Sequence, residues 1–149
     1  MKNNKGFSLV ELIIVIAIMA VLVGVLAPTY LQYVEKSKKS NDVSTVDSII
    51  NACEIGAIDP EVMTDTTATL TITVNTSGIT YNPATTASAW SKSVSDAIGT
   101  DVKLKSTNWT DPVIVVATRD TATGKVNFSY GSGSSAAFKT YASQLTKIS

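Results

Sequence analysis

The chain has 149 residues, with 12 basic and 12 acidic side chains, no histidine and one cysteine, Cys53. Those numbers exclude an intrachain disulfide, a thiolate-histidine zinc cluster and any histidine-based catalytic triad, and the balanced charge gives no nucleic-acid footprint. Beyond a first apolar run roughly 120 residues remain, enough for one domain with its own core.

The N-terminus opens with a short basic leader, Lys2 and Lys5, that ends at Gly6. From Phe7 to Ala27 the sequence is apolar apart from small residues and one formal charge, Glu11. At about 1.5 Å per helical residue this run spans roughly 31 Å, the thickness of a bilayer's hydrocarbon core. An ionised carboxylate so early in such a run is expensive and marks a functional position whose partner must be found. A secretory signal peptide also joins a basic start to an apolar core, but here the run is too long, no Ala-x-Ala-like site closes it, and an acid stands near its beginning. The cleavable position precedes the apolar run, so processing would keep the helix and leave ten basic against twelve acidic side chains.

The helical pattern continues past Pro28. Apolar residues fall at Tyr30, Tyr33 and Val34, then at Val43, Val46, Ile50, Cys53 and Ala57, in steps of three and four that mark one helix face. A polar stretch, residues 35–42, separates the two groups, and Gly56 reads as the stop. The spacing predicts one helix over about 7–55, roughly 75 Å long at the usual rise. Pro28 denies a donor to the carbonyl of Gly24, so a kink or local melting is expected between Gly24 and Pro28.

After Gly56 the composition turns to Thr, Ser, Asn and Gly with β-branched residues. Residues 69–75 (TLTITVN) alternate, with Leu70, Ile72 and Val74 on one face, and 79–82 (ITYN) follow as a hairpin partner. Residues 86–98 read as a short helix with Trp90, Val94, Ala97 and Ile98 inward and Gly99 as its stop. Residues 113–118 (VIVVAT) form a buried-type strand, 119–124 turn, and 125–130 (KVNFSY) alternate as its antiparallel partner. The glycine-serine stretch 131–135 is a loop, and Phe138, Tyr141, Ala142 and Leu145 have the spacing of a short helix. The expected fold is α+β: a long N-terminal helix, membrane-spanning in its first half and kinked near Pro28, whose second half packs on a mostly antiparallel sheet. The expected division is a leader, 1–6, a transmembrane or filament-core helix, 7–27, and a head, 28–149, whose helical portion is 28–56 and whose sheet-bearing region is 57–149.

Gly6-Phe7-Ser8-Leu9-Val10-Glu11-Leu12 resembles the N-terminal signature of type IV pilins and their relatives. The short basic leader, glycine before an aromatic, glutamate five residues after the glycine, the apolar continuation and Pro28 carry the resemblance, which covers about residues 1–56. It implies cleavage between Gly6 and Phe7 by a prepilin peptidase that also acts as N-methyltransferase, leaving a methylated amine on Phe7. Glu11 is the natural counter-charge of that amine, in a pair formed within one subunit or between a new subunit and its neighbour; the resemblance favours the second, which would set the register of assembly. A buried pair need not add stability, yet either charge left alone is costly. The implied protein is structural rather than enzymatic, with no cofactor and no metal: a subunit, by preference the major one, of a helical surface filament. The implied partners are identical subunits, the peptidase, an assembly platform with minor pilins, and the cytoplasmic membrane before assembly, with the extracellular pilus as the final location. A pseudopilin of a secretion or DNA-uptake system is the alternative, and an ordinary membrane-anchored domain or enzyme a third reading.

Other features have plainer readings. Cys53 reads as a buried small hydrophobe, against intermolecular pairing. Lys36, Lys38 and Lys39 read as a solvated helix face, against contact with anionic headgroups or DNA. Tyr30 and Tyr33 fit an interfacial belt or subunit packing, and Trp90 and Trp109 read as core or edge packing. Asn75-Thr76-Ser77 and Asn108-Trp109-Thr110 match the N-glycosylation pattern, which short sequences meet by chance. Aspartates 59, 65, 101, 111 and 120 lack calcium-loop spacing. Relatives often close their C-terminal region with a disulfide; with one cysteine, the candidates here are pairing of the last strand and docking of Phe138 and Leu145.

Overall fold

A computed structural model describes residues 6–143, so Lys2 and Lys5 of the leader and the expected anchor Leu145 lie outside the described residues. The chain divides into two units, residues 1–37 and 38–149. Helix α1, Leu9–Ala57, contributes to both.

The first unit is helical from Leu9 onward, and the helix runs through Pro28 without a break. Pro28 has no N–H to offer the Gly24 carbonyl. One residue on, Thr29 Oγ1 donates to the Leu26 carbonyl at 2.8 Å, a local side-chain bond of the kind that bends helices. Tyr30, Leu31 and Tyr33 are exposed.

In the second unit the stripe expected from sequence is the spine of the core. Val43, Val46, Ile50, Cys53 and Ala57 are buried, joined by Ile49 and Ala52. Opposite them lies a four-stranded antiparallel sheet of order β2-β1-β3-β4, where β1 is Thr69–Val74, β2 Ile79–Asn82, β3 Val113–Arg119 and β4 Val126–Tyr130. Period-two alternation sends Leu70, Ile72 and Val74 of β1 and Val113, Val115 and Ala117 of β3 into the core. The register places Ile72 beside both Tyr81 and Val115, and Ala117 beside Phe128. Between β2 and β3 the chain forms helix α3, Ala89–Ile98, preceded by a short α2, Pro60–Met63, and followed after β4 by α4, Ala136–Ala142.

Several expectations need correction. The helix extends to Ala57, so Gly56 lies inside it and is no stop. A Cβ at Gly56 would meet Ser93 Oγ at 3.1 Å, so glycine here permits close approach of α1 and α3. Helix α3 begins at residue 89 because Ser88 is its N-cap, accepting from the Ser91 N–H. Ala97, expected inward, is exposed, and Ser91 is buried in its stead with its hydroxyl donated to the Pro83 carbonyl. Arg119, expected to open a turn, is the last residue of β3 and buried. Helix α2 had no sequence expectation at all; Asp59 caps it by accepting from the Glu61 N–H.

The C-terminal stretch is fastened without a disulfide. The Gly131 N–H donates to the Ile114 carbonyl, the Ile114 N–H to Ser134 Oγ at 3.0 Å, and the Ser135 N–H to the Pro112 carbonyl. Phe138 is fully buried, edge-on to Trp109 with ring centroids 5.2 Å apart. Gly131 permits this pairing, because a Cβ there would collide with Ile114 Cγ2 and press on Val116. Gly131→Ala is therefore expected to lower the stability of the folded chain by about 1–3 kcal/mol, as overpacking does. Urea denaturation in detergent followed by tryptophan fluorescence checks this, and an unchanged midpoint would show that Ile114 yields freely.

Candidate functional site

The first turn of α1 is built from Ser8 and Glu11. The Ser8 N–H donates to Glu11 Oε2 at 2.8 Å, and Ser8 Oγ accepts from the Val10 N–H at 3.3 Å. Two donors that a helix start leaves orphaned are thus satisfied reciprocally, the arrangement of a capping box. The sequence signal for it, serine followed three residues later by glutamate, is in plain view at Ser8 and Glu11, although only Glu11 stood out in the sequence. A carboxylate in the first turn also meets the positive end of the helix dipole. Gly6 and Phe7 precede the helix, and Phe7 is 92% exposed. A Cβ at Gly6 would meet no atom within 4 Å, so nothing in the chain's own packing demands glycine there; the same holds for Gly24. The structure brings Ser8 and Glu11 together and leaves Gly6 and Phe7 open on the N-terminal side of that turn.

From residue 9 to residue 26 every large apolar side chain on α1 is more than half exposed. The helix is long and apolar enough to cross a membrane. Each such side chain removed from water contributes roughly 1.5–3 kcal/mol, so this face is stable only in lipid or against other protein.

In the second unit, polar side chains hold the irregular segments that the sheet cannot. Asp42 belongs to the polar stretch expected to be solvated, yet it is fully buried and accepts hydrogen bonds from the backbone of Lys105 and Ser106 and from the Trp109 indole. It stands four residues before Val46, in phase with the apolar stripe, which is the signal that it faces inward. Lys39, expected on a solvated face, sits over the Trp109 ring with Nζ 5.2 Å from the centroid. Arg119 donates to the carbonyls of Val62 at 2.9 Å and Asp65 at 2.7 Å, with longer contacts to those of Thr67 and Ala57, and lies over the Trp90 ring. A planar fork with five donors suits this gathering of carbonyls, and a cation near the C-terminus of α1 complements its dipole. The Trp90 indole closes on the Cys53 carbonyl at 3.1 Å. Burial pushes the Cys53 thiol up to about 12, with Glu54 adding to the shift, so Cys53 is an inert core residue as its place in the stripe suggests.

These features define a class: an α+β protein whose N-terminal helix exposes a membrane-length apolar face and whose sheet-bearing unit is built on the end of the same helix. Residues 1–27 match the family described as "Prokaryotic N-terminal methylation motif". Two fimbrial proteins of Pseudomonas aeruginosa are each 36% identical to the chain over 59 residues, 40% of this chain and 38% of the relative, so the match spans about two fifths of their length. No solved structure is matched. The chain thus carries the N-terminal methylation motif and is similar over two fifths of its length to fimbrial proteins.

Asp65 supplies a pH-dependent contribution to the fold. Burial opposes its ionisation, but hydrogen bonds from Ser88 Oγ, Thr67 and the Trp90 N–H outweigh that and hold its carboxyl well below the usual carboxylate range. A depressed folded value gives stability that is full above the unfolded value near ~4 and is lost as pH falls through that value toward the folded one. Asp65→Asn is expected to be less stable than the parent at neutral pH and to lose less on acidification from about pH 5 to about pH 3. Urea midpoints at the two pH values test this; equal losses in both proteins would remove Asp65 from the acid response.

Proposed function

We propose that the chain is a type IV pilus subunit, by preference the major one, held in the cytoplasmic membrane by α1 until it is drawn into a helical surface filament. The exposed apolar face from residue 9 to residue 26 carries this reading, since burial within the subunit leaves it unsatisfied. Lipid satisfies it first and the helices of identical subunits afterwards. The open Gly6 fits a peptidase that needs close approach to an extended backbone, and cutting there creates a cationic amine on Phe7, which is then methylated. Glu11 already takes one N–H from Ser8 and, as a carboxylate, keeps lone pairs for a further donor. That donor is the Phe7 amine of a neighbouring subunit, and an incoming chain that stops short of it leaves a costly unpaired charge. Gly24 and Pro28 mark where helical bonds are lost first if the helix lengthens on assembly.

Gly6→Ile is expected to accumulate as uncut precursor in the membrane. N-terminal sequencing reads this, and finding Phe7 as the first residue of that variant would sink the cleavage assignment. Glu11→Ala is expected to be cut normally but to yield filaments reduced at least about tenfold, the scale of a buried pair broken by removal of one partner. Electron microscopy of sheared surface material, with identification of its main protein, measures the yield. Abundant normal filaments from cells carrying only Glu11→Ala would refute the pairing. Short periplasmic assemblies in place of surface fibres would assign the chain to the pseudopilins.

A further inference from the structure

Between α3 and β3 lies a stretch without regular structure, residues 99–112, laid over one end of the core. A single carboxylate holds much of it. Asp42, fully buried on α1, accepts from the Lys105 N–H at 2.7 Å, the Ser106 N–H at 2.9 Å and the Trp109 Nε1–H at 2.7 Å. Three donors converging on one side chain require an acceptor-only group; an amide of the same shape would turn its own N–H bonds toward one of them. The segment in turn holds α4. Trp109 packs edge-on against Phe138, and the Pro112 carbonyl accepts from the N–H of Ser135, the N-cap of that helix.

The sheet does not depend on these bonds. The β1–β2, β1–β3 and β3–β4 ladders use none of the donors that Asp42 receives; the module meets the sheet through the Leu104 N–H on the Asn75 carbonyl and the Ile114 N–H on Ser134 Oγ, and the far end of the buried α1 segment is tied separately, by Trp90 to Cys53 and by Arg119 to the carbonyls beyond Ala57. We infer that Asp42 is a charge-dependent latch: it fastens residues 102–111 and α4 to α1 as one module, which can undock while the sheet stays folded. It does by hydrogen bonding to an ionised side chain what a chain with one cysteine has no disulfide to do. The inference holds whether or not the chain polymerises.

The test is hydrogen exchange, resolved by peptide, on the full chain in detergent. Asp42→Asn keeps the side-chain volume and removes the charge. Trp109→Phe keeps an aromatic ring against Phe138 and removes the indole donor together with part of the ring system. Bonds to ionised groups are strong enough that Asp42→Asn should speed exchange in 102–111 and 136–142 by about tenfold or more, and at Ile114, whose N–H is held by Ser134 Oγ, with residues 69–74 and 115–119 unchanged. Trp109→Phe should give a smaller acceleration confined to the same two stretches. Uniform acceleration across the sheet would make Asp42 an ordinary contributor to global stability and overturn the latch, as would no change in either stretch. Should Asp42→Asn fail to fold, the latch is overturned for want of an independent sheet unless Trp109→Phe shows the confined acceleration.

Discussion

Everything in this chain depends on how one helix meets two environments. The apolar side chains of α1 up to residue 26 stay exposed, while those from Val43 to Ala57 are buried against a sheet. No rearrangement of the second unit is needed to explain the first; an exposed face of that length and composition needs lipid or like helices around it. Lipid and packed helices are similar solvents for leucine and isoleucine, so transfer between them is close to neutral for the apolar surface. In the filament we propose, direction and register come from polar groups such as Ser8, Glu11 and the amine that cutting would expose.

The second unit answers a different problem. Its strands are short and its connections long, so many backbone groups lie outside any ladder and must find partners elsewhere. Three side chains carry most of the long-range share of this among the described residues. Asp42 gathers N–H groups at one end of the buried α1 segment, Arg119 gathers carbonyls at the other, and Asp65 links the turn after α2 to the cap of α3. The sign of each matches its clients: acids collect donors, and the guanidinium collects acceptors.

What was legible in the sequence follows from distance along the chain. The stripe Val46, Ile50, Cys53 and the alternation Leu70, Ile72, Val74 announce themselves because period 3.6 and period 2 are local properties. The N-terminal motif, matched over residues 1–27, was legible for the same reason, since it occupies consecutive positions. Asp42 and Arg119 were not, because their partners lie 52 to 67 residues away and are largely backbone groups with no sequence identity. Helix α2 escaped notice because four residues carry no periodicity and hold only through the Asp59 cap and tertiary contact. Gly56 misled because glycine serves both to end helices and to let them touch.

The solitary, deeply buried Cys53 has one more consequence. Many exported proteins wait on an oxidant before their fold is secure, and a reductant can undo them afterwards. Here the fastenings among the described residues are hydrogen bonds, packed rings, cations over rings, surface ion pairs and buried apolar side chains. Completing this fold therefore calls for no oxidant, and a reductant finds no intrachain bond to break.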